Sequence, residues 1–148
     1  MNSQAAAAIP FRLDAAQRER ALRLFNARGE IQWFQFEATL DEAIASVHLA
    51  AGPHRGLQGG GGSAALNGGV IAAGFDAVAV LTGLGHYATD TVVTVDLSVQ
   101  FLALADTGAA PAWRGWATRT TRGLCFVQAV LAGAGQVFAT AHAVVKPA

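Results

Sequence analysis

Cysteine is almost missing from this chain: Cys125 is the single thiol in 148 residues. No intrachain disulfide framework is available, and a reducing compartment, the cytoplasm by default, is expected. Charge is scarce too. Charged residues make up 14% of the chain and divide into ten basic and ten acidic, which gives no long-range field for nucleic acid or an anionic membrane surface. The four histidines, His48, His54, His86 and His142, show no HxH, HxxxH or Cys–His spacing, so no metal site is expected. The stretch GGGGSAALNGG lacks the Lys-Ser/Thr ending of a phosphate-binding loop and lies in no βαβ unit. The most apolar run, Val70 to Leu84, is broken by Asp76 and falls short of the roughly 18 residues of a membrane span. The opening MNSQAAAAIPFRLD has neither a basic start nor a long apolar stretch, and no secretion is expected.

What the chain has in quantity is hydrophobic residues, at 53%, more than a small domain needs for its own core. Part of its surface is therefore expected to meet another subunit. Residues 1–148 have the length of one domain. Asp14 can cap a helix running to about Arg28, where Gly29 stops it. Two extended stretches follow, IQWFQFEAT and AIASVHLAA, so the sheet is expected to begin at about Ile31. Eight of the seventeen glycines lie between Gly52 and Gly69, which excludes a regular element there.

From Asn67 to Leu84 the sequence NGGVIAAGFDAVAVLTGL is apolar around nearly the whole helical circumference, the pattern of a helix enclosed by protein. Then TVVTVDLSVQFL alternates, placing Val93, Val95, Leu97, Val99 and Phe101 on one face and Thr94, Asp96, Ser98 and Gln100 on the other. WRGWATRTT, LCFVQAVLA and QVFATAHAVVK continue the meander across short turns. This order gives the α+β class, with an antiparallel sheet curved about the central helix.

In LNGGVIAAGFDAVAV, then TVVTVDLSVQFL, then RGLCFVQAVLAGAGQVFATAHAVV, the chain resembles the PaaI-like, phenylacetate-degradation branch of the hotdog-fold acyl-CoA thioesterases, over roughly residues 30 to 146. That family carries a His-Gly-Gly motif at the start of the central helix, an acid nine positions after the His, and a Ser or Thr on the next strand. The matching positions are Asn67, Gly68, Gly69, Asp76 and Thr94, with Asn standing where the family has His. The resemblance implies a hotdog fold, sites at subunit interfaces in a homodimer or homotetramer, and hydrolysis of an acyl-CoA or acyl-carrier thioester, with coenzyme A entering only as part of the substrate. It also implies that Gln58 contacts the thioester and that Arg119 and Arg122 meet the CoA phosphates.

The residues support such a reading on their own chemistry. Asn67 can cap the helix, and the amides of Gly68 and Gly69 lie in a first turn that no intrahelical carbonyl reaches. The helix dipole there favours negative charge, so Gly68 is the candidate oxyanion donor; the plain alternative is a cap and a close packing contact. Asp76 is the only ionisable residue between Asn67 and Leu84, and a carboxylate on an enclosed helix is costly unless paired, hydrated or functional. It is expected to act as general base or as nucleophile through an anhydride. Nine residues of helix amount to roughly 13–14 Å of rise and half a turn, so Asn67 and Asp76 of one chain cannot share a thioester, and the site is expected to combine two subunits.

Thr94 reaches Asp76 only if a bulge or a changed facing permits, and a plain strand Thr is the competing reading. Gln58, His54 and Arg55 compete with the reading of solvated loop residues, and Arg119 and Arg122 with that of solvated hairpin charges. Cys125 reads as a core thiol. The alternative function is a hotdog that binds acyl-CoA without hydrolysing it.

Overall fold

The computed structural model describes residues 7–50, 55–59 and 64–148. His54 and the glycines at 60–62 lie outside these. Helix α1 spans Ala15–Asn26 behind a capping box: Asp14 accepts from the Gln17 amide while the Gln17 side chain accepts from the Asp14 amide. The helix was expected to run to Arg28 and stop at Gly29. Instead the chain turns at Ala27, and Gly29 opens a second short helix, α2, Gly29–Trp33. The sheet therefore starts at Phe36 and not at Ile31. Ile31 is buried on this second helix, where a helical turn lets it pack as a strand would have, which explains why its apolar pattern misleads.

Strands β1 (Phe36–Leu40), β2 (Ala45–Leu49), β3 (Val92–Phe101), β4 (Ala112–Thr120), β5 (Cys125–Gly133) and β6 (Gln136–Pro147) form one antiparallel sheet in the order β1-β2-β4-β5-β6-β3. Helix α3, Gly68–Leu84, is the central element, as its composition predicts. Its residues from Ala77 to Leu84 are all buried, together with Val70, Ile71, Gly74 and Phe75, because the curved sheet covers most of its circumference. Thr82 is buried within it and donates to the Val78 carbonyl at 2.8 Å, so its hydroxyl carries no desolvation penalty. Among the described residues no helix is long and apolar enough to cross a membrane.

The closest approach of sheet to helix is at Gly74. The fully buried indole of Trp113 lies where a β-carbon would stand, and its Nε1 donates to the Ile71 carbonyl at 3.0 Å. Gly74→Ala would drive a methyl group into that ring. We expect it to lower the stability by about 1–3 kcal/mol, the usual cost of overpacking, read as a lower midpoint in urea.

An N-terminal strap crosses the C-terminal end of α3. Phe11 donates to Glu42 and Leu13 to Gly85 through their backbones, and the Phe11 ring meets the edge of His86 with centroids 5.1 Å apart. His86 is 3% exposed, and neither ring nitrogen has a partner. Burial, assisted by the Arg12 charge, pushes its pKa down from 6.5 to about 4. The unfolded chain therefore takes up the proton first, so this contribution is complete above pH 6.5 and is lost as the pH falls toward 4. The loss is on the order of 3 kcal/mol. His86→Leu removes the two unpaired nitrogens, and its unfolding free energy between pH 6.5 and 4 is expected to fall less steeply than that of the parent. Parallel slopes would remove His86 as the cause.

Strand β3 departs from its expected alternation. Its register against β6 shifts between Thr94 and Asp96, a bulge centred on Val95. Val92 is buried and Thr94 half-buried before the bulge, and Leu97 and Val99 are half-buried after it. Val93 and Val95, placed by alternation on the same face as Leu97 and Val99, are instead 37% and 55% exposed, while Phe101 keeps the parity of Leu97 and Val99 and is 57% exposed at the strand's end. One extra residue shifts the facing of everything beyond it, because side chains in a strand repeat every second position.

Candidate functional site

The two halves of the expected site lie toward opposite ends of the same strand. At the first end stands Asp76, half-buried on the flank of α3 that faces the two N-terminal helices. The bulge turns Thr94 inward, and its hydroxyl donates to Asp76 Oδ1 at 2.5 Å, a short, charge-assisted bond. Oδ2 has no hydrogen-bond or ion-pair partner among the described residues. Beside the carboxylate opens a cavity of about 120 Å³ between α1, α2, β1 and α3.

At the second end stands the start of α3. Asn67 is extended at φ −61°, ψ 141°, and its side-chain oxygen accepts from the Gly69 amide at 2.7 Å. The Gly69 amide, expected to be a free donor, is thus already engaged by the cap. The Gly68 amide has no partner among the described residues and is exposed, next to the ring of Phe101 at the far end of β3. A β-carbon on Gly68 would touch that ring at an ordinary 3.6 Å, so the position is open rather than crowded.

Gln58 falls beside this helix start. It bridges Leu66, the Gly59 amide donates to Ala65, and the Asn67 amide donates to Leu57, so a short backbone ladder fixes the half-buried Gln58 one strand away from the Asn67 turn. Arg119 and Arg122 are not brought there in one protomer. Their hairpin lies against the other end of α3, where Tyr87 Oη donates to the Thr121 carbonyl at 2.9 Å. Arg119 stacks over Phe126 at 5.9 Å. Cys125 is fully buried, and burial pushes its thiol up to about 12, so it is no nucleophile at neutral pH. No group of three His, Cys, Asp or Glu suited to a metal occurs among the described residues.

Sequence reasoning missed the contribution of the N-terminal helices: the first was given no part in the site, and the second was read as the start of the sheet. Phe25, Ile31 and Phe34 line the cavity at Asp76 from more than forty positions away. The available signal was the helical i, i+3 interval of Ile31 and Phe34 inside IQWFQFEAT, a stretch expected to be extended.

No protein-family model and no curated protein matches the chain. Solved structures do. A protein from Shewanella oneidensis related to the thioesterase superfamily superposes with a TM-score of 0.77 at 17% identity, covering 90% of this chain and 97% of its own. The PaaI protein of the E. coli phenylacetic acid degradation operon gives 0.76 at 9% identity over 90% and 95%. A thioesterase from Haemophilus influenzae gives 0.76 at 13% identity over 93% and 94%. With six antiparallel strands around one central helix, this chain has the hotdog fold of the thioesterase-superfamily structures, the PaaI protein among them.

Proposed function

We propose that this chain hydrolyses acyl-CoA thioesters, in sites shared between two copies. The observation that carries the reading is the division of labour along β3: an Asp76–Thr94 pair toward one end and an unpaired, exposed Gly68 amide toward the other. β3 is a ten-residue edge strand with β6 on one side only and apolar side chains exposed along it, the kind of edge that invites pairing. Antiparallel pairing of two copies about a two-fold axis between Leu97 and Ser98 would set Thr94 opposite the partner's Phe101. Asp76 would then face the partner's Gly68, which answers the half-turn that separates them on one helix. A homodimer is the minimum, and a tetramer of two such dimers is compatible with it.

In this reading Thr94 holds Oδ1 and leaves Oδ2 to accept a proton from water. The water oxygen bonds to the thioester carbon, and the resulting oxyanion is stabilised by the partner's Gly68 amide and the positive end of its helix. Collapse breaks the C–S bond, and the departing thiolate needs no strong acid because thiols ionise at roughly pH 8–9. Asn67 acts as the cap that shapes this turn. The Asn67 cap favours a second reading, a hotdog that holds acyl-CoA intact, since its side-chain oxygen is engaged by the Gly69 amide and it supplies no imidazole.

The two are separated by incubating the protein with aliphatic and aryl CoA esters and measuring free thiol. Turnover of at least one ester by a dimer or larger assembly is expected. Saturable binding with the thioester intact would leave only the second reading, and full activity in a species that sediments as a monomer would overturn the shared site.

A further inference from the structure

Resting on the hydrolase reading, we propose that the cavity beside Asp76 is an acyl pocket that admits compact acyl groups of about six or seven carbons and rejects long fatty chains. Its most deeply buried lining residues are Phe25 and Ile31, 1% and 3% exposed, with Phe36 and Val80 also buried. These side chains come from four different elements, α1, α2, β1 and α3, so the lining is fixed by packing rather than by a loop. The volume of about 120 Å³ is near that of the ~150 Å³ apolar cavity that takes up a benzene molecule. A ring or a short branched chain fills it, and a longer chain has to leave past the rim.

The way out is unfavourable to hydrocarbon. Arg28 and Glu30 border the cavity, Arg28 half-buried and Glu30 exposed. The Arg28 guanidinium is held in place, stacked at 5.3 Å on the Phe25 ring and donating to the Asp90 carbonyl at 3.1 Å. A chain that outgrew the pocket would lie along these charges. Ala73, one helical turn before Asp76, sits on the same wall as the carboxylate, and its small side chain leaves room for the acyl group.

The test is a kcat/KM series over straight-chain acyl-CoAs from two to sixteen carbons with benzoyl-CoA added, on the parent, Ala73→Leu and Phe34→Ala. The parent is expected to peak at hexanoyl or benzoyl and to fall about tenfold or more by dodecanoyl, since each misplaced methylene at such a site is worth roughly 10-fold or more. Ala73→Leu fills the cavity and should move the optimum to two or three carbons. Phe34→Ala, on a half-buried ring, should move it to eight or ten.

A parent preference for dodecanoyl or longer, or a profile that neither variant shifts, overturns the pocket while leaving the hydrolase intact. If no ester is turned over, the hydrolase reading fails separately. Titration of hexanoyl-CoA and dodecanoyl-CoA into the same three proteins then decides the pocket by affinity, and equal affinities overturn it.

Discussion

Asp76→Asn is expected to reduce thiol release from any acyl-CoA the protein turns over by about 10²–10⁴-fold, the range for removing a positioned general base. The substitution keeps shape and volume, and Asn can still accept from Thr94, so folding should be preserved and the loss should fall on kcat rather than on KM. Far-ultraviolet dichroism and a thermal midpoint check the fold, and steady-state kinetics check the rest. Turnover within a few-fold of the parent would remove Asp76 from the chemistry. Thr94→Val, which leaves the carboxylate in place but unheld, should produce a smaller loss because only its orientation is disturbed.

The Gly68 amide can be deleted almost alone. Proline is favoured at the first position of a helix and lacks the N–H, while Asn67, at φ −61° and ψ 141°, already has the conformation preferred before proline. A β-carbon on Gly68 would meet the Phe101 ring at an ordinary 3.6 Å. Gly68→Pro should therefore fold and lose about 10²–10³-fold in kcat, the cost of one oxyanion donor. Gly68→Ala, which retains the amide, should remain close to the parent.

Mixing the two inactive proteins then tests whether the site is shared. In a heterodimer of Asp76→Asn with Gly68→Pro, one of the two sites draws Gly68 from the first chain and Asp76 from the second, and is whole. Random reassociation of equal amounts makes half of the dimers mixed, so activity should rise from near zero to about a quarter of the parent level. A site contained in one chain would give no recovery at all.

How much of this was readable beforehand differs by element. The enclosed helix was legible because its composition has no polar face, and the meander because short turns join alternating segments, both local properties of the chain. Asp76 stood out for the same reason: one ionisable group in a run of apolar ones is visible without knowing what surrounds it. The second helix, Gly29–Trp33, was not legible, since IQWFQFEAT is rich in the aromatic and β-branched residues that strands favour, and nothing local sets them in the helix-and-turn that they adopt. The engaged amide of Gly69 was hidden as well, because a cap leaves open which of two neighbouring donors it will take.

The sequence by itself determined that a wholly apolar helix must be wrapped by a sheet, and that a lone carboxylate would stand on it. Only the tertiary structure decided what that carboxylate meets: a bulge at Val95 that turns Thr94 inward, and aromatic side chains from the N-terminal helices that close a cavity around its flank. The physical reason is range. Periodicity and composition report on neighbours within a few residues, whereas the facing of a bulged strand and the contacts of α1 and α2 with α3 depend on partners tens of residues away, chosen by packing.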